Sequence, residues 1–240
     1  MNTQCEVRIK QAATAETGPT EFVNAARVHN ALTARLEKRL LTWMAQRTPH
    51  AIGPDHLTAL ALASQIFAGA AYALASHDGR FLWVVNGFLL LNWFGDSLDG
   101  TLARIRNQQR PRYGFYVDHM ADAFGALALM TGLGYSGYMH WPVAAGLLVC
   151  FYALSIESYL ATYTTGRFHL SHGIFGPTEI RILLAVGNVL VRTHPYISLA
   201  GWRGLSLDLG GVVAIAGMTV LVLSAAVRQT LVLYKEEALP

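Results

Sequence analysis

From about residue 51 onward the chain alternates between long apolar runs and short polar connections. Six of the runs, near 56–76, 81–103, 114–138, 142–163, 176–195 and 209–233, approach the ~20 residues a helix needs to cross a bilayer. Ahead of them Phe22, Val28, Leu32, Leu36, Leu40 and Trp43 recur at helical spacing, with Arg27, Arg35, Lys38, Arg39 and Arg47 on other faces. That pattern predicts a basic amphipathic helix lying in the membrane interface. Residues 1–20 are small and polar and are expected to be disordered. The predicted organisation is therefore all-α: a tail over 1–20, an interfacial helix within 21–50, and an integral membrane bundle of six transmembrane helices over 51–240.

Composition sharpens this picture. The chain is 53% hydrophobic and 14% charged, against roughly 25% charged residues in soluble domains. The net charge of +3 sits between apolar runs, so lipid headgroups are the expected partner and nucleic acid is not. Cys5 and Cys150 offer neither a disulfide framework nor metal-ligand spacing and are expected to be inert. The first fifty residues hold no apolar core of signal-peptide type, so the chain is expected to keep its N-terminus. Lys and Arg concentrate on the side holding both termini and Arg106, Arg110 and Arg112. The positive-inside rule puts that side in the cytoplasm, and the expected location is a bacterial-type inner or cytoplasmic membrane. The 22 glycines would let helices, or two copies in a homodimer, approach closely.

The second and third runs carry the candidate chemistry. Asp96 and Asp99 are three apart, and Asp118 and Asp122 four apart. Each spacing puts both carboxylates on one helix face. A short basic connection makes the two helices antiparallel neighbours, so four carboxylates converge near the cytoplasmic end. Such a cluster in a membrane is costly without compensation. Hard divalent ions supply it, so Mg²⁺ or Mn²⁺, as a pair, is expected, with Ca²⁺ also permitted by ligand type. Two ions there would bridge the phosphates of a nucleotide diphosphate. Gly100 and Ala103 leave room beside Asp99, Arg104 suits a phosphate, and Gly114 opens the next helix.

The segment reads Asp96-x-x-Asp99-Gly100-x-x-Ala103-Arg104, a nine-residue spacer, then Gly114-x-x-x-Asp118-x-x-x-Asp122. All eight fixed positions resemble the motif of the CDP-alcohol phosphotransferase (CDP-alcohol phosphatidyltransferase) family, with a spacer one residue longer than its commonest form. The resemblance implies a six-helix bundle in which Asp96, Asp99, Asp118 and Asp122 hold two divalent ions. It implies that Asp122 is also the general base toward an acceptor alcohol. It implies further that Asp99, Gly100, Ala103, Arg104 and Gly114 line a CDP-linked donor, CMP leaves, and a phosphodiester forms in phospholipid synthesis. Many members carry Pro-Asn-x-x-Thr before the first span; here Pro54-Asp55-His56-Leu57-Thr58 has Asp for Asn. Thr58 therefore either lines the nucleotide or belongs to a helix start with Asp55 as N-cap. Homodimers are common in the family.

Arg167 and Arg181 are candidates to receive the acceptor, while Glu157 reads better as half of a structural ion pair with one of them. His119 points about 100° off the carboxylate face, and with His169 and His172 is expected to pack or lie at the surface. A cation transporter or channel is the competing function, and a catalytically dead scaffold a third. The acceptor alcohol and the donor's alcohol are not readable from the motif.

Overall fold

The computed structural model describes residues 34–165, 177–199 and 202–237. Among them the chain forms α1 (Ala34–Arg47), α2 (Pro54–Ala75), α3 (Phe81–Ile105), α4 (Pro111–Tyr135), α5 (Trp141–Thr165), α6 (Pro177–Thr193), a hairpin of β1 (Tyr196–Leu199) and β2 (Trp202–Leu205), and α7 (Ser206–Glu236). Each of the six expected runs is a helix, with ends within about three residues of those predicted. The antiparallel hairpin, pairing Tyr196 with Leu205 and Leu199 with Trp202, was not foreseen. Expectations for residues 1–33, with Cys5, and for Arg167, His169 and His172 lie outside the described residues.

Local chemistry sets the boundaries that matter for the site. Pro54 and Pro111 open α2 and α4, where a missing N–H costs nothing and the fixed φ fits a first turn. Gly53, not Asp55, is the N-cap of α2; Asp55 sits in the first turn, where its carboxylate meets Arg110. At the other end of α3, Asn107 takes φ 53°. Its N–H donates to Arg104 O at 3.3 Å, and Gln108 N–H to Ala103 O at 2.9 Å. This paired closure stops the helix six residues past Asp99.

Helices α2, α3 and α4 form the centre. Thr58 at Asp99 and Ala61 at Asn92 make α2 and α3 antiparallel, with Gly95 against Leu57 and Ala61 between them. Gln65 at Gly125 and Gly69 at Gly132 make α2 and α4 parallel. A Cβ added at Gly132 would fall 1.9 Å from the Gly69 carbonyl oxygen, so here the backbones touch. Helix α6 runs antiparallel along α3, with Arg181 at Asp96 and Asn188 at Asn86. Helix α5 runs back along α4 from Trp141 beside Gly134 to Tyr152, whose hydroxyl donates to Ala123 O. Helix α7 follows α5 in parallel, Gly211 against Val143 and Gly146 against Ile215. One end of the bundle therefore gathers α1, the starts of α2, α4 and α6, and the end of α3.

Four helices, α2, α3, α5 and α7, are long and apolar enough to cross a membrane, which marks the chain as a membrane protein. Val149, Ile156 and Leu160 on α5 and Val213, Val220 and Leu223 on α7 turn outward and stay largely exposed. Helix α4 gives up apolarity to Asp118, His119 and Asp122, and α6 has 17 residues. Helix α1 packs Leu41 and Ala45 onto Leu57, Leu98 and Leu102. Leu40 and Trp43, two members of the apolar stripe seen in the sequence, face outward. Arg106 locks α1 to the bundle, donating to Thr48 O, Pro49 O and Ile52 O at 2.7, 3.0 and 2.6 Å.

Candidate functional site

Two antiparallel helices bring the acidic residues together. Asp96 and Asp99 occupy the last turns of α3, and Asp118 and Asp122 the second and third turns of α4. Asp96, Asp118 and Asp122 each offer an oxygen within 4.8 Å of the others. That is a separation one cation can bridge, with only hard oxygen donors. Asp122 also lies in the field of Asp99 and of Arg181. The aspartates are half-buried, so their mutual repulsion is only partly screened by water. The residues present therefore suit a divalent ion in charge, donor type and spacing.

Asp99 is held differently. Thr58 Oγ1 donates to its Oδ2 at 2.6 Å, and the Gly100 N–H donates to its Oδ1. Thr58 stands one turn into α2, so the antiparallel packing of α2 on α3 delivers it. Asp96 is held by Arg181, whose Nη2 donates to Oδ2 at 2.6 Å. Arg181 Nε donates to Asn92 Oδ1 at 2.7 Å, and Asn92 Nδ2 to Ala61 O at 3.0 Å. Arg181 meets Asn92 and Asp96 because α6 packs on α3, which presents both.

The positions expected to line a nucleotide follow Asp99 along α3 and open α4. Arg104 Nη2 donates to Thr101 Oγ1 at 3.0 Å, and its side chain is exposed. A Cβ at Gly114 would meet nothing within 4 Å, so the space above it is open. A cavity of about 500 Å³ lies between the start of α2 and the α3–α4 connection, lined by Gly53, Asp55, His56, Gln108 and Arg110 among others. Arg110 pairs with Asp55 and stacks over Tyr113 at 4.0 Å.

His119 packs, as expected from its direction. Its ring stacks on Phe115 at 4.1 Å and meets the edge of Tyr159 at 4.8 Å. Two site neighbours were not singled out from the sequence. Tyr159, on α5, is within electrostatic reach of Asp118 and Asp122. Asn92 is the other, and a signal for it existed: it stands four residues before Asp96, hence on the same face, as an amide within an apolar run.

The profile of the family described as CDP-alcohol phosphatidyltransferase matches residues 51–224, a stretch that takes in every described residue of this cluster. No curated protein matches the chain.

Proposed function

Since the chain belongs to the CDP-alcohol phosphatidyltransferase family, we propose that it transfers a phospho-alcohol group, a phosphatidyl group in the leading reading, from a CDP-linked donor to an acceptor alcohol with release of CMP. The convergence of Asp96, Asp118 and Asp122 at one end of the bundle, with Asp99 steered by Thr58, is the observation that carries this reading. Asp96, Asp99, Asp118 and Asp122 would hold Mg²⁺ or Mn²⁺, which when bound neutralises charge on the diphosphate and on departing CMP.

The protein's own groups do the rest. Gly100, Ala103 and Gly114 leave room for the nucleotide, and Arg104 meets a phosphate oxygen. Asp122 accepts the proton of the acceptor hydroxyl as its oxygen bonds to the donor's β-phosphorus and the bond from that phosphorus to the CMP oxygen breaks. Holding the acceptor against Asp122 turns a two-molecule encounter into a positioned one. Arg181 and Arg167 are the basic groups proposed to serve the acceptor side. We place the site, both termini and the interfacial face of α1 on the cytoplasmic side. The bundle then makes six crossings, is fed by lipids and cytoplasmic CDP-alcohols, and can pair into a homodimer. Nothing in the match favours ion transport.

The test is CMP release by purified protein given Mg²⁺ or Mn²⁺, CDP-diacylglycerol or a CDP-amino-alcohol, and a panel of acceptors that includes serine, glycerol phosphate, inositol phosphate and diacylglycerol. Asp96→Asn and Asp118→Asn should each lose at least about three orders of magnitude in rate while still inserting and folding. Full activity in either variant would remove the metal assignment.

A further inference from the structure

The carboxylate site already contains a cation. The guanidinium of Arg181 reaches Asp96 through Nη2 and Asn92 through Nε, at 2.6 and 2.7 Å. Its side chain is 12% exposed and that of Asp96 21%, so the pair is sheltered. Asn92, itself buried, is pinned to the Ala61 carbonyl. Two turns further along α6, Tyr72 OH donates to Asn188 Oδ1 and Asn188 Nδ2 to Asn86 Oδ1, both at 2.8 Å. Asn86 Nδ2 in turn donates to Ala185 O at 3.2 Å. These bonds fix the register of α6 on α3, so Arg181 is placed by the core of the bundle rather than by its own flexible stem.

Arg181 occupies an oxygen of one of the three carboxylates that fit a divalent ion. A cation on those carboxylates and the guanidinium would share Asp96 and repel each other across a poorly screened gap. We infer that Arg181 is a built-in counter-cation: it holds Asp96 in the metal-free protein and competes with the divalent ion for that carboxylate. Asn92 is its positioning residue. The inference rests on the metal reading above and adds a direction to it. Arg181 stabilises the empty site and weakens metal binding, two opposite effects of one side chain. A merely structural ion pair has only the first.

Manganese binding, followed by the electron paramagnetic resonance signal of free Mn²⁺ with no substrate present, separates the two. Purified full-length Arg181→Gln should bind Mn²⁺ at least about tenfold more tightly than wild type, since a unit positive charge beside a dication site has gone. Without metal its melting temperature should be lower, and saturating Mn²⁺ should raise that temperature by more than in wild type. Asn92→Leu should shift affinity the same way by a smaller factor, and it decides the matter if Arg181→Gln does not fold. Arg181→Lys, which keeps the charge, should stay near wild type. Mn²⁺ binding that is unchanged or weaker in Arg181→Gln, or in Asn92→Leu where that variant decides, while wild type still binds, overturns this inference and leaves the proposed reaction standing. Absence of binding in every variant overturns both.

Discussion

Asp99 differs from the other three aspartates in what holds it. One oxygen accepts the Gly100 N–H and the other the Thr58 hydroxyl at 2.6 Å, so the rotamer is set by the chain before any ligand arrives. A hydrogen bond to a charged acceptor contributes about 1.5–3 kcal/mol. If Asp99 serves the reaction, Thr58→Val should cost roughly 10- to 100-fold in kcat/KM for CMP release, and Thr58→Ser should recover most of it. Activity of the valine variant equal to wild type would detach Thr58 from the chemistry. At this scale the sequence was most legible for the aspartates, because intervals of three and four fix which side chains share a face whatever the helices pack against. It was least legible for Arg181. Its neighbours Asn92 and Asp96 lie on a helix 85 to 89 residues away, and no periodicity within α6 names the helix it will meet. Asp55 shows the same limit, since its partner Arg110 comes from another connection and Gly53 takes the cap.

At the scale of elements, the tightest joint is between α2 and α4. Gly69 would place a Cβ 2.2 Å from Ala128 O, and Gly132 one 1.9 Å from Gly69 O. Neither neighbour is a flexible side-chain end, so the helices would have to separate. Gly217, in α7, would place a Cβ with nothing within 4 Å. The two positions make a matched pair, because Gly→Ala in a helix otherwise gains about 1 kcal/mol from propensity. Gly132→Ala should lower the melting temperature by about 3–10 °C, corresponding to overpacking of about 1–3 kcal/mol. Gly217→Ala should leave it unchanged or slightly raised. Equal behaviour of the two would mean that α2 and α4 do not touch at their backbones. Six of the helices were legible because apolar runs bounded by Pro, Gly and charge announce themselves. Which glycines face a neighbouring backbone was not, since 22 glycines look alike until the packing order is known. The hairpin between α6 and α7 was missed because Tyr196–Leu199 and Trp202–Leu205 are each only four residues long and read as the tail of one span and the lead into the next.

For the whole molecule, composition and packing pull apart at α4 and α6. Neither is among the four helices that qualify as membrane spans by length and apolarity. Yet α4 lies alongside α2 from the contact of Gln65 with Gly125 to that of Gly69 with Gly132, and its polar turns sit at the end where α2 begins. In the six-crossing arrangement we propose, this contact carries α4 across with its spanning neighbour and leaves its carboxylates near the headgroups, where water and cations reach them. Helix α6, at 17 residues about 25 Å long, falls slightly short of the ~30 Å hydrocarbon layer, and the hairpin continues the chain beyond it. The six-crossing arrangement we propose therefore puts Gln108 and Lys235 on the side of the site and Tyr135 and Ser198 on the other. All four positions are exposed. In a background with Cys5 and Cys150 replaced by serine, single cysteines at these positions report their side by reaction with an impermeant maleimide. Intact cells should label Tyr135→Cys and Ser198→Cys and leave Gln108→Cys and Lys235→Cys unreacted, with the pattern reversed in inverted vesicles. Labelling of positions 108 and 135 from the same side would mean that α4 does not cross. The carboxylates of α3 and α4 would then have to meet at a membrane surface, without the helix-to-helix packing that now sets their spacing.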